Sequence, residues 1–198
     1  MTGGGTPPAA PEPADAVHEP ADSPDYLERR SRVYRAIVNL ERYLTTGILV
    51  GTFVVIMLQV VTRYAFSSPL SWTEELARFL LVWLTFLGAG YVMSRRLHIS
   101  VDLLVARLSK RGAVVVDTFA TLVVLVASAA MAIAGVSIAA DAADLLAPAT
   151  RLPMSVVYTA GVVGFGLIFL HGLANLFVNL RHPEEVPGAM ENIEKEGF

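Results

Sequence analysis

The sequence predicts an all-α membrane protein: four transmembrane helices, with short amphipathic helices at the interface and both termini in the cytoplasm. Three observations lead there. Of 198 residues, 54% are hydrophobic and only 17% are charged, where about a quarter is usual in soluble domains. The apolar residues fall into four blocks, at residues 44–61, 76–93, 113–140 and 156–180. At about 1.5 Å per residue, roughly 18–20 residues cross a hydrocarbon core of about 30 Å, and every block is long enough. Buried helices of soluble proteins rarely run this far without a charge.

Residues 1–25 carry Pro, Ala, Gly and acidic side chains but no basic start and no apolar centre. They read as a disordered cytoplasmic tail and not as a secretory signal. The membrane domain is expected over residues 26–182, followed by a polar tail over 183–198. At its start, "YLERRSRVYRAIVNLERYL" is basic and holds an apolar stripe of Val33, Ile37, Leu40 and Leu44. This pattern predicts a helix that lies on the membrane surface and then enters it.

After the second block, Leu97, Val101, Leu104 and Leu108 share one helical face, and Arg107, Lys110 and Arg111 gather behind them. That spacing predicts a short interfacial helix stopped at Gly112. Between the third and fourth blocks, Pro148 and Pro153 exclude a continuous helix.

Lysine and arginine set the orientation. Arg29, Arg30, Arg32, Arg35, Arg42, Arg95, Arg96, Arg107, Lys110, Arg111, Arg181 and Lys195 fall on one side, and only Arg63, Arg78 and Arg151 on the other. This 12-to-3 split puts both termini in the cytoplasm and the segments 63–72 and 148–153 outside. Small residues in the last two blocks, Ala127, Ala130, Ala134, Gly135, Ala160, Gly161, Gly164 and Gly166, suit close helix approach in lipid.

The chain has no cysteine, which excludes disulfides, thiol catalysis and cysteine-ligated metals. A net charge of −3 without a basic, aromatic-rich stripe gives no reason to expect nucleic acid. Of His18, His98, His171 and His182, only His171 lies inside a block. A bis-histidine haem needs two at membrane depth, so a redox subunit is disfavoured, and His171 is expected to pack or to bond between helices. There is no phosphate-binding glycine loop. No catalytic constellation emerges, and the chain is not expected to be an enzyme or to hold a cofactor or metal.

The stretch "RYAFSSPLSWTEELARFLLVW" places Arg63, Glu74, Glu75 and Arg78 beside the membrane, where charges need a partner or a role. Ser71 fits a helix N-cap, with Glu74 three residues on as in a capping box. Glu74 and Arg78 are four apart and can pair. Glu75 and Arg63 lack local partners. They sit at similar depth on either side of the turn containing Pro69, so they are expected to pair across the hairpin. An alternative reading makes the chain a self-sufficient carrier with Glu75 as a proton or cation site. The absence of a Gly/Pro-broken helix at midplane speaks against it.

Together these residues resemble the DctQ-type small membrane subunit of tripartite ATP-independent periplasmic (TRAP) transporters. The resemblance is carried by Arg63-Tyr64-x-Phe66, by Pro69-Leu70-x-Trp72-x-Glu74-Glu75-Leu76-Ala77-Arg78, by Gly88, and by His98-Ile99-x-Val101-Asp102. Ser67 departs from it, since asparagine is frequent there in the family.

The resemblance implies a non-catalytic subunit of the cytoplasmic (inner) membrane. It would brace a large transport subunit for sodium-coupled uptake of a solute, often an organic acid, delivered by an extracytoplasmic binding protein. Sodium would bind elsewhere in the complex. Arg63, Pro69, Trp72, Glu74, Glu75, Arg78, His98 and Asp102 become the expected contacts with those partners. A chain that stops after the fourth span is expected to be a separate small subunit and not a fusion.

Overall fold

The structure is a computed structural model and describes residues 31–95 and 110–181. His98, Asp102, most of the expected interfacial helix around residues 97–111 and both tails lie outside the described residues; the expected stop at Gly112 is not made, because Gly112 lies inside the continuous helix Lys110–Asp141.

Four long helices make up the fold: α1 (Arg32–Tyr64), α2 (Ser71–Ser94), α3 (Lys110–Asp141) and α4 (Met154–Arg181). Each contains a stretch long and apolar enough to cross a membrane. One end of the bundle carries the start of α1 and the finish of α4, with Arg32, Arg35, Arg42, Arg95 and Arg181 around it. It is called the basic end below. The opposite end carries the α1–α2 turn and the α3–α4 connection, and is called the loop end.

Helix α1 starts at Ser31, whose hydroxyl accepts the Tyr34 N–H at 3.3 Å. It then runs unbroken for 33 residues, about 50 Å at 1.5 Å per residue. The surface segment and the span are therefore one continuous helix. Nothing in residues 32–64 is proline, and backbone hydrogen bonding continues through the polar-to-apolar boundary. The expected apolar stripe lies mainly on the outer face of this helix. Val33, Leu40 and Leu44 point out of the bundle, whereas Val38 and Glu41 are buried. An outward apolar face is normal where the solvent is lipid.

Helix α4 is central, packing on both α2 and α3, while α1 packs chiefly on α2. The α2–α4 crossing is close because Gly164 has no side chain. A Cβ there would stand 2.6 Å from Phe86 Cβ and 2.9 Å from the Phe86 carbonyl oxygen. Gly135 gives similar room against Val162, at 3.0 Å, and Ala160 is fully buried. Ala127, Ala130 and Ala134 face outward instead. Helix α3 turns Thr121, Leu125 and Ser128 inward, so the small residues of its packing face were only partly identified.

A polar ladder runs along α4 at four-residue spacing: His171, Asn175 and Asn179, all buried. The Asn175 amide donates to the Met93 carbonyl at 3.1 Å, and the Asn179 amide donates to the Asp117 carboxylate. In a medium without water these bonds satisfy groups that would otherwise be costly, and they tie α4 to α2 and α3.

Candidate functional site

At the loop end, α1 finishes through a turn in which Ser68 N–H donates to the Thr62 carbonyl at 3.1 Å. Ser67 takes φ 51°, in the left-handed region where asparagine is better tolerated than serine. That is a physical reason for asparagine at this position in the family that the sequence resembles. Pro69 then leads into Leu70, which holds the N-cap position in an extended conformation.

Ser71 is the first helical residue and not the cap, and no side chain caps the helix. Thr73, completely buried, donates its hydroxyl back to the Leu70 carbonyl at 2.6 Å. Glu74 is therefore free of the capping box. It stands 4.0 Å from Arg78 along the helix surface, both side chains well exposed at 65% and 70%, so the expected pair exists in a weak, solvent-screened form.

Glu75 differs. It is only 5% exposed, and its Oε2 accepts two backbone N–H groups from the α3–α4 connection, Ala149 at 2.9 Å and Thr150 at 2.7 Å. The expected partner Arg63 is not involved; its guanidinium lies 6.0 Å from the Tyr64 ring centre and is exposed. The turn brings Arg63 and Glu75 to similar depth, but the carboxylate points into the bundle and Arg63 away from it. Trp72 and Pro69 are exposed beside the turn.

The connection that Glu75 holds is itself a small hairpin. Met154 N–H donates to the Leu145 carbonyl at 2.8 Å and Ala147 N–H to the Leu152 carbonyl at 2.9 Å, with Leu146 bridged to Pro153. Arg151 closes the tip at φ 58°.

At the basic end lies a cluster of which the sequence indicates only His171. His171 is completely buried. Its Nε2 is 2.9 Å from Glu41 Oε2, and its Nδ1 is 3.0 Å from the Tyr34 hydroxyl, whose ring stands edge-on to the imidazole. Glu41 is 3% exposed, and its Oε1 is buried without a hydrogen-bond donor, close enough to α2 that a Cβ on Gly90 would meet it at 3.0 Å. The Thr45 hydroxyl, one turn further on, is also buried and unbonded. His171 thus bonds between helices, as expected. The signal for Glu41 was available: Tyr34, Val38, Glu41 and Thr45 recur at helical spacing, and Glu41 is the only acidic residue between Arg32 and Tyr64.

Comparison with known proteins gives this geometry a family. The model of the family described as "Tripartite ATP-independent periplasmic transporters, DctQ component" matches residues 52–182. The chain belongs to this DctQ family. A TRAP transporter small permease protein of Haemophilus influenzae is 34% identical over 121 residues, 61% of this chain and 74% of its own length. The sialic acid TRAP transporter small permease protein SiaQ of Vibrio cholerae is 25% identical over 101 residues, 51% of this chain and 58% of its own length. The sialic acid TRAP transporter permease protein SiaT of Haemophilus influenzae is 31% identical over 90 residues, which is 46% of this chain but only 15% of that longer protein. With four span-capable helices, this DctQ-family member is a multi-pass protein of the inner membrane. The family match begins at Thr52, so it includes Glu75, the α3–α4 hairpin and His171 but neither Tyr34 nor Glu41.

Proposed function

We propose that this DctQ-family chain braces the large transport subunit of a TRAP importer and does no chemistry itself. Both termini lie in the cytoplasm, the loop end faces outward, and the solute is a small organic acid driven by a sodium gradient. The observation that carries this reading is the family match across residues 52–182, which takes in the end of α1 from Thr52 and all of α2, α3 and α4. The relatives' names speak of sialic acid, which supports an organic acid. The 12-to-3 split of basic residues supports the orientation.

Glu75 speaks against the carrier alternative. A transported cation needs a carboxylate that it can approach and leave, whereas Glu75 Oε2 is engaged by two backbone N–H groups at the rim of the bundle. The test is uptake into liposomes under an imposed sodium gradient. The expected outcome is none with this chain and the binding protein alone, and uptake once the large subunit is added. Uptake by this chain alone overturns the scaffold reading in favour of the carrier.

A further inference from the structure

The charges at the two ends of the bundle are balanced differently. At the loop end the exposed acids Glu74, Asp141 and Asp144 stand beside the exposed Arg63, Arg78 and Arg151, so both signs are mixed. At the basic end Arg32, Arg35 and Arg181 are exposed, and Arg42 and Arg95 are half-buried. The two described acids on that side are bonded to other helices, Glu41 to His171 and Asp117 to Asn179, and neither is exposed. Among the described residues, the surface of the basic end is therefore positive with no exposed acid.

Helix α1 fixes the depth of this surface. At about 50 Å it is about 20 Å longer than a hydrocarbon core. At the loop end it stops at the short turn into α2, so most of the surplus lies at the basic end, in roughly its first three turns. There Arg32 and Arg35 alternate with Val33, Leu40 and Tyr43, all exposed. Arginines set among outward apolar and aromatic side chains suit the headgroup layer, where stems and rings meet acyl chains and the guanidinium meets phosphate. Rings also steady three of the arginines: Arg42 lies 5.4 Å from the Tyr43 ring centre, Arg95 5.3 Å from Tyr91 and Arg181 5.4 Å from Phe177. A held guanidinium gives up little freedom when its N–H fork takes a phosphate. Arg63 stacks on Tyr64 at the loop end too, so the balance of charge, and not stacking, distinguishes the two ends.

We propose that the basic end is a binding surface for acidic phospholipids: Arg32 and Arg35 on α1 and Arg181 on α4 take headgroup phosphates and so hold the over-long α1 at a set depth. A zwitterionic headgroup carries its own ammonium beside the phosphate, so an acidic one gains more from arginines that no exposed acid offsets. The proposal needs only that the four helices span a membrane. It stands whether or not the chain serves an importer, and Arg32 and Arg35 precede the family match, which begins at residue 52.

The test places the full chain in phosphatidylcholine nanodiscs carrying a trace of spin-labelled phosphatidylglycerol or spin-labelled phosphatidylcholine, and reads the fraction of each label immobilised on the protein. The wild type is expected to hold the phosphatidylglycerol label about fourfold more strongly at low salt, and less than about twofold more strongly at about 0.5 M salt. Combining Arg32→Gln, Arg35→Gln and Arg181→Gln should bring the low-salt preference below about 1.5-fold, and Arg32→Gln with Arg35→Gln should bring it to about twofold. Combining Arg63→Gln, Arg78→Gln and Arg151→Gln removes the same charge from the loop end and should leave the preference above about threefold. Helical content and the immobilised phosphatidylcholine label check that each variant is folded. An equal loss from the two triple variants makes the preference a matter of net charge and overturns the proposal. A wild type that holds both labels alike overturns it too; if the basic-end variants then lose thermal stability at low salt, the arginines pair with the acidic side chains of the chain's own residues 1–28 instead.

Discussion

Two carboxylates are buried in the described part of this molecule, one near each end, and different kinds of donor hold them. Glu75, at the loop end, is bonded by backbone N–H groups of a connection more than 70 residues away. Glu41, at the basic end, is bonded by a side chain, His171, 130 residues away. Backbone donors belong to whatever loop conformation places them, so Glu75 organises a loop. A side-chain donor belongs to its helix, so Glu41 and His171 fasten α1 to α4. The same chemical group thus shapes local structure at one end and helix assembly at the other. The difference predicts local damage at the loop end and global damage at the basic end.

His171→Ala is the most severe way to break this comparison. It leaves Glu41 buried in apolar surroundings without its hydrogen-bond partner, and the expected loss is about 3–5 kcal/mol. It should appear as a large fall in thermal midpoint in detergent micelles, with α1 the first element to lose amide protection. A loss below about 1 kcal/mol would mean that α1 is held by its contacts with α2 and that the cluster adds little.

Glu75→Ala should do less and do it locally. Amide exchange around residues 149 and 150 is expected to speed up about tenfold, the factor that goes with losing a hydrogen-bond acceptor for these amides. Protection in α1 and in the middle of α4 should not change. A fall in protection across the whole bundle would erase the contrast between the two ends.

A smaller effect of opposite sign is expected at the α1–α2 turn. Ser67→Asn places a residue that tolerates the left-handed region at φ 51°, for a gain of roughly 0.5 kcal/mol in stability. A loss of stability would show that the serine hydroxyl contributes something the turn geometry does not reveal. Smallest of all, Glu74→Gln should change the stability by no more than about a few tenths of a kcal/mol, since its pair with Arg78 is exposed and screened. If Glu74→Gln cost as much as Glu75→Ala, burial would not be what separates the two neighbours.

Much of this was legible along the chain because it is set over short distances. The length of an uninterrupted apolar run decides whether a helix can span. Pro148 and Pro153 end helices wherever they stand. The Glu74–Arg78 pair follows from 3.6 residues per turn. The motif around residues 63–78 and 98–102 indicated the family before any coordinates did. His171 was readable as an interhelical group because a lone polar side chain in an apolar run has to find a partner.

Tertiary structure alone decided the rest. Glu75 was matched to Arg63 because the two are close in sequence, yet its partners arrive from a hairpin between α3 and α4 that only helix packing brings over α2. The capping box failed because the backbone at Leu70 was already extended and took the cap position one residue earlier. The inward face of α1 is not legible in its apolar stripe, which in lipid has no need to turn toward protein. Where the surroundings are as apolar as the core, hydrophobic periodicity no longer says which side is inside. The buried polar groups say it instead, and for Glu41 that meaning appears only when α1, α2 and α4 are brought together.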